Sequence, residues 1–147
     1  MKRVFCFLAV FWLLINMISC SGEKKLSFVC NKDSVDEFVA AAGNIYGEDL
    51  LSGMSITEDN IYNVTPPEVS AVSDVKIFKA SDSCASYILI EDGIYSICES
   101  FGGYGFVNAV PCEFDGDGNI DLLVASSWGS GLHRSIISVF NTKTAVA

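Results

Sequence analysis

Half of the 147 residues are hydrophobic, enough apolar material for one packed core and too much for an intrinsically disordered chain. Eighteen Asp plus Glu stand against nine Lys plus Arg, a formal net charge of −9, and no basic patch interrupts the acidic balance. Such a surface repels polyanions, which excludes a nucleic-acid role and disfavours adhesion to anionic lipid headgroups.

Lys2 and Arg3 open an apolar run from Val4 to Ile18, broken at Asn16, and Ser19 and Cys20 follow. A short cationic start, an apolar stretch and a small residue make an export signal. The run is short for a spanning helix, which needs about 20 residues. Met17-Ile18-Ser19-Cys20 resembles the lipidation motif of bacterial lipoproteins, with Met17 where leucine is usual. That resemblance implies cleavage after Ser19, a lipid on Cys20 and a tether to the membrane without any spanning segment. Ser21 after the cysteine implies the outer membrane. Loss of residues 1–19 removes Lys2 and Arg3, leaving seven cations against eighteen anions, a net of −11. The expected organisation is a signal over 1–19, a tether over 20–25 and one β-rich α+β domain over 26–147.

Export to an oxidising compartment makes Cys30, Cys84, Cys98 and Cys112 candidates for disulfides, with three possible pairings, and buried free thiols fit equally well. No Cys-x-x-Cys spacing occurs, which argues against zinc and against a thioredoxin-type centre.

Beyond the tether, Leu26, Phe28 and Cys30 alternate with polar positions, a weak strand signal. Ser34 and Glu37 have capping-box spacing, and Val35, Phe38, Val39 and Ala42 mark one helical face, which Gly43 or Gly47 should end. Residues 48–74 read as an irregular stretch with a rigid Thr65-Pro66-Pro67 break and one short strand or helix. Val75–Phe78, Tyr87–Ile90 and Ile94–Cys98 then read as strands. Asp92-Gly93 is the expected hairpin turn, a register that would set Cys98 opposite Tyr87. Phe106–Cys112, Ile120–Ser126 and Ser135–Phe140 complete a mainly antiparallel sheet. Phe101–Gly105 and Trp128–Gly131 are glycine-rich connections.

The segment Cys112–Val124 reads CEFDGDGNIDLLV. Counting Glu113 as position one puts Asp115 at three, Asp117 at five, Asn119 at seven and Asp121 at nine. Calcium takes about six to eight oxygens, and alternate residues of a tight loop can turn their oxygens toward one centre. Four carboxylates so close repel one another, and a bound dication removes that repulsion. Gly118 allows the sharp turn, Asn119 can offer its backbone carbonyl, and Ile120 should point into the core. An EF-hand would need a glutamate at position twelve, where this chain has Val124 inside a strand-like run.

The stretch Glu113–Leu122 is similar to the calcium loop of FG-GAP repeats: aspartate, any residue, asparagine or aspartate, glycine, aspartate, glycine, two variable residues, aspartate, leucine. Glu113 is the one departure. The resemblance implies a calcium site built from the side chains of Glu113, Asp115, Asp117 and Asp121 and the carbonyl of Asn119. FG-GAP repeats build propellers, whereas this chain has one acidic loop and is too short for a full propeller. The glycine-rich segments Gly102–Gly105 and Trp128–Ser135 are also similar to a group of small bacterial exported proteins, a likeness that brings no activity with it.

His133, the single histidine, stands beside Arg134 and could serve a hydrolase as a base and anion clamp. No second catalytic group accompanies the pair, and Cys112 among carboxylates makes a poor nucleophile. Tyr104, Trp128, His133 and Arg134 instead compose a candidate binding surface for a protein or glycan ligand. The leading expectation is therefore a calcium-stabilised binding module, lipid-anchored at Cys20, that is not an enzyme. An envelope hydrolase using His133 and Arg134, or a periplasmic enzyme inhibitor, is the alternative.

Overall fold

The computed structural model describes residues 31–47, 56–81, 83–91, 93–98 and 102–145. The export signal, Cys20, the tether, the Leu26–Cys30 strand, Asp92 and Phe101 lie outside them. Within the described residues, no helix is long and apolar enough to cross a membrane.

Helix α1 spans Val35–Tyr46 and buries Val35, Phe38 and Ala42, the spacing of one helical stripe. Gly47, at φ 77°, ends it and returns its N–H to the Gly43 carbonyl. The expected capping box does not form. Ser34 adopts a left-handed conformation with no side-chain cap, and Glu37 instead pairs with Lys76 at 2.5 Å.

Among the described residues seven strands follow: β1 Ile61–Asn63, β2 Lys76–Ala80, β3 Ser86–Ile90, β4 Gly93–Ser96, β5 Gly105–Cys112, β6 Asp121–Trp128 and β7 Arg134–Phe140. A one-turn helix α2, Pro67–Ser70, begins directly after Pro66, with Pro67 at the position where a missing N–H costs nothing. The expected single sheet is two antiparallel sheets, ordered β1-β2-β3-β4 and β5-β6-β7.

The β3–β4 hairpin pairs Ile90 with Gly93 and Tyr87 with Ser96. Gly93 thus pairs within β4 where a turn position was expected, a register one residue earlier than the Asp-Gly signal, and Glu91 takes a positive φ of 52°. This register sets Leu89 opposite Ile94, both buried in one cluster, where the expected register would have set Leu89 against Ser96. Matching apolar partners outweighs the preference of Asp-Gly for the turn. Cys98 consequently passes the end of β4 and does not face Tyr87.

Side chains alternate across each strand, so the first sheet buries two faces. Phe78, Tyr87, Leu89 and Ile94 pack under Val35, Phe38 and Ala42 of α1, with the Phe38 and Phe78 rings 4.5 Å apart. Ile77, Ile88 and Ile97, on the other side, meet Phe106, Ala109, Leu122, Val124 and Phe140 of the second sheet. The result is three layers: helix, four-stranded sheet, three-stranded sheet.

Candidate functional site

The acidic loop joins β5 to β6, an antiparallel pair whose register closes on Cys112 opposite Asp121. Its carboxylates bend back onto the loop's own N–H groups. Gly118 N donates to Glu113 Oε1 at 3.0 Å, Asp117 N to Asp115 Oδ1 at 3.1 Å, and Asn119 N to Asp117 Oδ1 at 2.8 Å. Phe114 N donates to Asp121 Oδ2 at 3.1 Å. Gly116 and Gly118 take φ values of 77° and 81°, which a side chain would strain. Asn119 N first, then the Asn119 side chain, hold the Asp117 carboxyl down at about 2 against desolvation, with lesser help from Lys143.

Asp121 differs from the rest. It is fully buried, and its Oδ1 has no hydrogen-bond partner among the described residues. A buried carboxylate oxygen that no protein donor reaches is costly unless a charge answers it. The other three carboxylates are exposed, and among the described residues no group of three or more His, Cys, Asp or Glu side chains is gathered closely enough to grip a metal. Ile120 is half-buried and not a core residue, so it is not the anchor expected of it. Its carbonyl accepts Thr142 Oγ1 at 2.5 Å, and that bond fastens the loop.

The four surface candidates collect at the opposite end of the second sheet. Trp128 and Arg134 are register partners at the β6–β7 turn, with the guanidinium 5.4 Å from the indole. Tyr104 stacks on His133 at 5.0 Å and 17°, and Tyr104 itself is 65 % exposed. A backbone bridge between Gly102 and Gly129 ties the two glycine-rich connections together. Seven rises of β6, roughly 23 Å, separate this cluster from the loop. A single catalytic centre cannot use both His133 and the acidic loop, and Cys112 lies at the loop's end, far from His133.

Sequence reasoning missed the polar joint between the sheets. Buried Ser86 donates to the Cys84 carbonyl and accepts from Phe106 N at 3.1 Å. Cys98 sits there too: burial pushes its thiol up, opposed by hydrogen bonds from Ser86 and Ser126 and by nearby Lys79. Cys84, Cys98 and Cys112 are free thiols. No motif marks Ser86, because its partners arrive from distant strands.

These features define a mainly antiparallel β domain with an acidic loop at one end and an aromatic–cation cluster at the other. No protein-family model, curated protein or solved structure matches the chain.

Proposed function

We propose that the chain is an envelope lipoprotein, anchored to the outer membrane by a lipid on Cys20, whose α+β domain is a binding module stiffened by one calcium ion. In this reading α1 precedes a mainly antiparallel β arrangement whose loop resembles the FG-GAP calcium loop. Asp121 carries the proposal: a wholly buried carboxylate with an unanswered oxygen, at the foot of a loop holding three further carboxylates. The oxygens available to a hard dication are those of Glu113, Asp115, Asp117, Asp121 and the Asn119 carbonyl, and such a donor set suits calcium better than the stricter octahedron of magnesium. The ion would supply charge compensation and stiffness, with no chemistry on a ligand. Binding of a protein or glycan falls to exposed Tyr104, His133 and Arg134 and half-buried Trp128, whose aromatic and cationic groups suit recognition.

Calorimetric titration with calcium should release or absorb heat at one site per chain and raise the melting temperature. Saturation to about one hundred times Kd adds about 2.7 kcal/mol to the folded state. Asp121→Asn should lose most of that gain. No heat and an unmoved melting curve in the wild-type chain would reject the ion. Cys20→Ser should move the protein from the membrane to the soluble fraction, and retention in the membrane would reject the anchor.

A further inference from the structure

The segment after β7 clasps the acidic loop through three consecutive residues. Asn141 Nδ2 donates to Asp115 Oδ2 at 3.0 Å, Thr142 Oγ1 to the Ile120 carbonyl, and Lys143 Nζ pairs with Asp117 Oδ2 at 3.2 Å. The clasp is itself braced. Asn141 Oδ1 accepts from Lys143 N, Thr144 N and Thr144 Oγ1 at 3.1, 2.9 and 3.1 Å, and Ala145 N returns to the Asn141 carbonyl at 2.8 Å. Lys143 is thereby delivered to the loop by a fixed turn and does not wander there from a flexible tail.

We propose that Lys143 is the loop's internal counter-cation, and that it and a divalent ion compete for Asp117. The inference rests on the calcium reading above and concerns how that same site is regulated. Two observations lead to it. Asp117 has both oxygens engaged, Oδ1 by Asn119 N and Oδ2 by Lys143, so an ion drawing on Asp117 must displace or share the ammonium group. Lys143 is also mostly exposed, with 62 % of its side chain open to solvent, so it can swing into water at little cost. A charge of +1 held at the loop opposes the approach of a charge of +2, and it partly satisfies four carboxylates that would otherwise repel one another. The pair is screened by salt, so competition weakens as ionic strength rises. The site is thereby set to respond at a higher calcium level than four bare carboxylates would give.

The test compares the wild-type protein with Lys143→Met and Lys143→Arg in calcium titrations at low ionic strength. Removing the charge should tighten calcium binding by about 3- to 10-fold, the order expected for one partly screened surface charge, while the arginine variant should stay near the wild-type value. The acetylation rate of Lys143, read by mass spectrometry against the other lysines, should rise when calcium is added. Equal affinities in wild-type and Lys143→Met, or an unchanged acetylation rate in a wild-type protein that does bind calcium, would overturn the competition and leave the site standing. A wild-type protein that takes up no calcium at all would remove the site, and the competition with it.

Discussion

Gly105 takes a φ of 64°, and a Cβ built on it would overlap the Cys84 carbonyl oxygen. Two separate penalties therefore meet in one substitution: left-handed backbone, and a clash with backbone atoms that cannot rotate away. Gly116 isolates the first penalty, because it has φ 77° with nothing within 4 Å of the added atom. Gly105→Ala should cost about 2–5 kcal/mol and Gly116→Ala about 1–2 kcal/mol. Denaturant midpoints with unchanged slopes would measure both, and equal costs would mean that Cys84 yields freely. The turn between β5 and β6 was readable in advance, since two glycines among polar residues announce it, and Gly116 and Gly118 both take positive φ. The isolation of Asp121 Oδ1 was not readable, because burial at the end of β6 depends on strands that arrive from elsewhere.

Among the elements, β3 and β5 are joined by Ser86 alone in the described hydrogen bonding, which crosses between the two sheets through Phe106 N. Ser86→Ala leaves that N–H buried without an acceptor, a loss of about 1–3 kcal/mol. Amide exchange should localise it: Phe106 should exchange faster than its β5 neighbours, and uniform acceleration along β5 would contradict a local joint. The strands themselves were largely legible as short apolar runs such as Leu122-Leu123-Val124, though only the structure shows that Leu122 and Val124 face inward and Leu123 outward. Their partners were not legible. Division into two sheets is decided by which inward faces meet, and Ile88 and Leu122 share a cluster across 34 positions of chain. The β3–β4 turn shows the same limit on a smaller scale. A strong Asp-Gly signal loses by one residue to the pairing of Leu89 with Ile94. The capping box at Ser34 fails for a related reason, because Lys76 on a distant strand takes Glu37 away.

At the scale of the whole molecule, the three layers share their middle one. The first sheet packs α1 on one side and the second sheet on the other, so loosening either contact exposes apolar surface on the same strands. Burial of that shared surface is what couples the two outer layers. Leu122 is fully buried in the inter-sheet cluster, whereas Val35, Phe38 and Ala42 of α1 belong to the other cluster. Leu122→Ala should cost about 2–5 kcal/mol through lost transfer energy and the cavity left behind. If the layers unfold together, far-ultraviolet dichroism, which weighs α1, and Trp128 fluorescence, read in the chain without residues 1–19, should give one midpoint before the substitution. Both should then fall by the same amount after it. A helix signal that keeps its midpoint while Trp128 melts early would mean that the first sheet and α1 fold as a unit of their own. The acidic loop would then stiffen only the three strands it adjoins.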